Sequence, residues 1–137
     1  AKVSTLEHIG MFSAPLLTES PRLANPAGQD PLEARARSYL HANCAHCHRP
    51  DGGGQGTMDL RYTRSLAETA TCDASATQGA VGDADKLVVP GMPGASILSL
   101  RMHGSDAKRM PPVAVSVTDP IGTETIDGWI SALTACP

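Results

Sequence analysis

Large aromatic side chains are scarce in this chain: its 137 residues include one Phe, two Tyr and one Trp, against 13 Gly and 11 Pro. A chain of this length makes one domain with a modest core. With so few bulky side chains to fill its centre, it suits a core built around a large prosthetic group better than a self-sufficient one. An excess of positive charge is also missing. A net charge of −3 and a pI near 5.9 leave no basic footprint, so nucleic acid is not an expected partner. No apolar run approaches the roughly 18 residues of a membrane-spanning helix. The opening "AKVSTLEHIGMF" lacks the charged head and apolar run of a signal peptide. It therefore suits a chain whose targeting segment has been removed, or a piece of a longer chain.

Four cysteines are present and they are of two kinds. Cys44 and Cys47 form a local pair, whereas Cys72 and Cys136 stand alone, with no ligand-type residue at metal-site spacing beside either. If the local pair is consumed elsewhere, the other two make one disulfide, which implies an oxidising compartment, or remain two unrelated buried thiols.

The local patterns are helical. Residues 1–30, with Pro15, Pro21, Pro26 and Gly28, read as an extension or linker carrying one helical turn around Leu6 to Phe12. Residues 31–137 read as the folded domain. Asp30 is the expected N-cap of a helix with Pro31 at its first position, and Leu32, Ala36, Tyr39, Leu40 and Asn43 share its apolar face. That helix delivers Cys44 near its C-terminal end, before Pro50 and a glycine cluster break it. A short helix is expected from Thr63 to Thr69, and another over Ile97, Leu98, Leu100 and Arg101, ending at Gly104. "KRMPPVAV" is extended, because consecutive prolines exclude helix. Asp119 caps a final helix begun by Pro120, with Ile126, Trp129, Ile130 and Leu133 as its apolar stripe. The expected class is all-α with long loops.

The most informative stretch is Cys44-Ala45-His46-Cys47-His48. A zinc site needs four ligands, usually from two such pairs, and no second pair exists. A reactive dithiol needs a βαβ setting with the pair at a helix N-terminus, whereas this pair ends a helix. Covalent haem c attachment remains, for which Cys-x-x-Cys-His is the signature. The two thiols add across the two vinyl groups on one edge of the porphyrin, and the adjacent His48 is carried under the iron. His48 Nε2 is then the proximal ligand, with Nδ1 expected to donate to a loop carbonyl, for which Pro50 is the candidate. His46 is a solvent-facing spacer. One motif implies one haem.

With His48 alone such an iron is five-coordinate and open to small ligands; a thioether on the far side closes it for electron transfer. Met110 is the favoured sixth ligand. It lies 62 residues after His48, in "RMPP", where two prolines stiffen the backbone. Met92 and then Met58 are runners-up, Met11 and Met102 suit gap-filling, and His103 is the bis-histidine candidate. His8 and His41 read as surface residues.

Taken together, these parts resemble a class I cytochrome c from about Asp30 to the C-terminus. The parts are a helix leading into Cys44–His48, a Met-Pro loop at Met110 and a C-terminal helix with an aromatic. Tyr39 and Trp129 stand where that family often places an aromatic pair at its near-perpendicular helix contact. "PLEARARSYLHANCAHCHRP", "VPGMPGASILSLRM" and "RMPP" further resemble bacterial haem-binding domains often found C-terminal to dehydrogenase-type domains, and "LEHIGMFSAPL" resembles their connector. The Thr71–Lys86 loop, which contains Cys72, is longer than that family's minimum. The resemblance implies a non-enzymatic, one-electron carrier in the periplasm, with one covalent haem c and redox proteins as partners. The donor would be a dehydrogenase or a fused upstream domain, and the acceptor another cytochrome or an oxidase. The exposed haem edge would lie near Cys47 and the 50–58 loop, where Gly52, Gly53, Gly54 and Gly56 permit close backbone approach. Arg61, Arg101 and Arg109 are candidates to pair with haem propionates, since guanidinium matches carboxylate bidentately; solvated surface arginine is the equal alternative for each. Tyr62 and Trp129 are further donors, although Trp129 suits the helix contact better. The competing function is a five-coordinate ligand-binding or peroxidase-like haem.

Overall fold

A computed structural model describes residues 2–16, 22–113 and 117–137. Its first helix, α1 (Lys2–His8), begins earlier than the turn expected at Leu6 to Phe12. Gly10 ends it by adopting φ +72°, a left-handed conformation suited to glycine, and the Met11 amide closes back on the Leu6 carbonyl at 3.0 Å.

The second helix, α2 (Leu32–Asn43), starts one residue later than its proline suggests. Pro31 occupies the cap position and no side chain caps the helix. Asp30 is not the N-cap because its groups are engaged elsewhere: its carboxylate meets Arg22 at 3.2 Å and its carbonyl accepts from Arg35 Nε at 3.0 Å. Ala36 and Leu40 are buried as the pattern requires, and Arg37 and Ser38 are buried beside them; Asn43, expected on that face, is exposed. The segment before α2 packs onto the body. The Ala24 amide donates to Ser38 Oγ at 2.8 Å, and the Pro26 carbonyl accepts from Arg35 at 2.8 Å and from Thr125 Oγ1 at 3.4 Å.

Only a 3-10 turn, Ala67–Thr69, forms where a helix was expected from Thr63 to Thr69. Ala70 ends it in a left-handed conformation. Residues 71–88 fold back on themselves: the Asp73 amide donates to Val88 O at 2.8 Å, and the Leu87 amide to Ala74 O at 2.8 Å. Cys72 and Cys136 form a disulfide, with Cα atoms 5.6 Å apart. It ties this excursion to the chain beyond the last helix.

Helix α3 (Ile97–His103) follows a second 3-10 turn, Pro93–Ala95, and gives way at Gly104 as its sequence indicates. The Ile97 and Leu98 amides donate to Lys86 and Leu87 carbonyls, fastening the start of α3 to the excursion. Helix α4 (Pro120–Ala132) begins as expected, with the Asp119 carboxylate accepting from the Ile121 amide at 3.1 Å. Ile126, Trp129 and Ile130 from α4 join Ala36 and Leu40 from α2, with Leu60 and Val88, in one core. Tyr39 lies directly over Gly122, where any β-carbon would collide with its Cζ, Cε2 and hydroxyl oxygen. This close approach is why α4 carries a glycine in its first turn.

The class is all-α: among the described residues there are helices, turns and isolated bridges but no strand. No helix among them is long and apolar enough to cross a membrane. The expectation of extended chain at Ala114 and Val115 lies outside the described residues.

Candidate functional site

Helix α2 ends at Cys44, whose amide donates to Leu40 O at 2.9 Å, and the chain turns once more. The Cys47 and His48 amides both return to Cys44 O, at 3.1 and 2.9 Å. This turn buries Ala45, leaves His46 exposed, and sets Cys44, Cys47 and His48 on one wall of a cleft of about 480 Å³. That volume is in the range of small-molecule and cofactor sites, about 300–1,000 Å³.

The loop after the motif is shaped by close approach. A β-carbon on Gly52 would collide with the Cys47 carbonyl, and one on Gly54 would lie 2.8 Å from both Cys47 O and His48 Nδ1. The glycines therefore let the 52–54 backbone press against the motif, with the Gly54 amide donating to Cys47 O at 2.9 Å. Pro50 does not supply a partner for His48: Nδ1 is buried with no hydrogen bond, and Gly54 packs against that edge instead. The His48 carbonyl accepts from the Leu60 amide at 2.9 Å, which fixes the ring's backbone.

The cleft is also lined by Leu98, Arg101 and Met102 of α3, and by the Met110 segment with Pro111 and Pro112. The Met110 amide donates to Arg101 O at 2.9 Å, so α3 anchors that segment. The 53–58 loop and the 74–78 segment form the remaining sides, and a β-carbon on Gly56 would stand 3.2 Å from Thr77 Oγ1.

Electrostatics sort the chemistries open to the motif. Burial, reinforced by neighbouring Cys47, pushes the Cys44 thiol up to about 11, the reverse of an activated dithiol. Both thiols are free, and they lie at the end of a helix rather than its positive N-terminus. Among the described residues, no three His, Cys, Asp or Glu side chains gather where one metal ion could sit. His48 is held below its ordinary value by burial, then by the positive Arg101 and by His46. That favours the neutral imidazole, the form that ligates metals.

The other candidates are placed as follows. Of the methionines, Met58, Met102 and Met110 line the cleft, while Met92 and Met11 are exposed away from it. His103 also lies off the cleft, its Nε2 2.8 Å from Asp127. Among Arg61, Arg101 and Arg109, only Arg101 lines the cleft, and its Nε is buried without a partner. Arg61 instead closes on Asp59 through bonds of 2.6 to 3.2 Å. Trp129 is buried in the core with its Nε1 unpartnered, and Tyr62 is exposed. Sequence reasoning missed the 74–78 wall and Lys108, whose Nζ reaches Ala80 O at 3.1 Å across the cleft's rim. No residue pattern marks these; the 74–78 wall reaches the cleft through the folding-back of the 71–88 excursion, and Lys108 from the chain just after α3.

No protein-family model, characterised protein or solved structure matches the chain.

Proposed function

We propose that this chain is a one-electron carrier of the class I cytochrome c kind, holding one covalent haem c in this cleft. The observation that carries the reading is that residues far apart in sequence share the cleft in complementary roles. Cys44, Cys47 and His48 stand on one wall, and Met110 stands on the chain segment that bounds it elsewhere. The donor set fits such a group: two free thiols for attachment, a neutral imidazole and a thioether for the iron. A buried, unpartnered Arg101 Nε in the cleft lining offers a carboxylate its match. A haem so held supplies reversible storage of one electron at iron.

The chain's own work is to hold His48 by its carbonyl and by the Gly54 contact, to hold Met110 through the Arg101 carbonyl, and to keep water from the cleft. Its partners are redox proteins: a dehydrogenase, separate or fused upstream, as donor, and a respiratory-chain component as acceptor. The Cys72–Cys136 disulfide agrees with an oxidising compartment, and the periplasm is the proposed location.

Visible spectroscopy of the oxidised protein beside Met110→Ala tests the ligand set. We expect a weak sulfur-to-iron charge-transfer band toward the red in wild type, abolished by the substitution. A high-spin spectrum that binds carbon monoxide readily and is unaltered by Met110→Ala would instead establish the five-coordinate alternative.

A further inference from the structure

Helix α3 has only seven residues, too few to be stable alone, since isolated helices shorter than about 12–15 residues are marginal in water. Its setting must come from tertiary bonds. At its start the Ile97 and Leu98 amides reach the Lys86 and Leu87 carbonyls. Farther along, one carboxylate from α4 takes two of its side chains: Asp127 Oδ1 accepts from Ser99 Oγ at 2.6 Å, and Oδ2 meets His103 Nε2 at 2.8 Å. Ser99 and His103 are four residues apart and share a face. Leu98 and Met102, likewise four apart, line the cleft from another face. Ser99 is 4 % exposed, so its charge-assisted bond to the carboxylate is the part-buried arm of this clasp, and the His103 arm is exposed.

We infer that Asp127 is a positioning residue for the cleft: by clasping Ser99 and His103 it fixes α3, and through the Arg101 carbonyl it fixes the Met110 segment. The path is short and continuous. Asp127 holds α3, the Arg101 carbonyl near the end of α3 receives the Met110 amide at 2.9 Å, and Met110 lines the cleft. Because the clasp lies away from the cleft lining, it sets where Met110 stands without touching anything bound there. The consequence for electron transfer rests on the ligand role proposed for Met110; the clasp itself does not.

Amide hydrogen exchange on the full chain tests this whether or not Met110 ligates iron. Asp127→Ala should speed exchange at the Met110 amide on the order of tenfold. Exchange at the Leu60 amide, which is bonded to His48 O, should stay unchanged. Asp127→Asn keeps an oxygen acceptor for Ser99 and should restore most of the protection. Unchanged Met110 exchange in Asp127→Ala, or an equal rise at Leu60, would overturn the inference. Imidazole titration of the ferric haem protein provides the second arm, with tighter binding in Asp127→Ala expected on the order of tenfold if Met110 is the displaced ligand. Faster Met110 exchange with unchanged imidazole affinity supports the clasp and counts against ligation by Met110.

Discussion

Two charged residues lie deep beside the site. Arg37 on α2 is 5 % exposed, and its guanidinium bonds to the carbonyls of Arg61 and Arg64. Asp59 is 6 % exposed, hydrogen-bonds to Arg61 and forms an ion pair with Arg64 at 3.0 Å. Together they pin residues 59–64, whose Leu60 amide holds the His48 carbonyl. The hydrogen bonds from Arg61, with the charge of Arg64 behind them, hold the Asp59 carboxyl down at about 2, below its ordinary 3.8. A carboxyl lowered in the folded state stabilises the fold above its unfolded value and loses that contribution as pH falls toward the folded one. Asp59→Asn should therefore unfold more easily than wild type at about pH 6, and the two acid-unfolding curves should converge between about pH 4 and 2. A gap that persists at the acid end would refute the ion-pair account. In the sequence Arg37 and Asp59 look like any surface charge; Arg37 becomes interior only through carbonyls 24 and 27 residues away, while Asp59 meets Arg61 and Arg64 just two and five residues on. That α2 delivers Cys44 at its end was legible, because the helical pattern and the Pro50 and glycine break that follows it are local.

At the scale of elements, the close approach of α2 and α4 depends on glycine. Tyr39 occupies the space that a side chain at Gly122 would need, and burial, then the facing Asp119 carboxylate, raises its hydroxyl above the ordinary range. Gly122→Ala forces the ring or a helix to move. It should cost about 1–3 kcal/mol, the usual penalty of overpacking, as read by denaturant unfolding. The loss should shrink in Tyr39→Leu, where the obstructing ring is gone. An unchanged midpoint in Gly122→Ala would contradict the contact. The caps and stripes of α3 and α4 were readable, since Asp119, Pro120 and Gly104 act on their own neighbours. The start of α2 was not, because Asp30 meets better partners in Arg22 and Arg35 than its own helix. The Thr63–Thr69 segment also departs from its pattern: Ser65 and Glu68 bond to each other at its start, and only one 3-10 turn follows.

Among the described residues, the whole molecule is a small aliphatic core with a large cleft beside it. Leu40, Leu60, Val88, Ile126 and Ile130 fill the core with a single Trp, which explains how so few aromatics suffice. The Cys72–Cys136 disulfide spans a sequence separation of 64 residues. In the chain-entropy view a loop of that size stabilises by roughly 4 kcal/mol, a useful contribution where the cleft takes the place of packed side chains. The excursion it anchors walls the cleft, which the spacing of two lone cysteines does not reveal. The proposed haem is fixed in this cleft through Cys44 and Cys47. The most direct measurement is the intact mass of the denatured protein, produced in a host that attaches haem outside its cytoplasm and read beside a Cys44→Ser/Cys47→Ser variant. A gain of one haem is expected in wild type, surviving denaturation, and none in the variant. An unmodified wild-type mass, with both thiols open to alkylation, would contradict it.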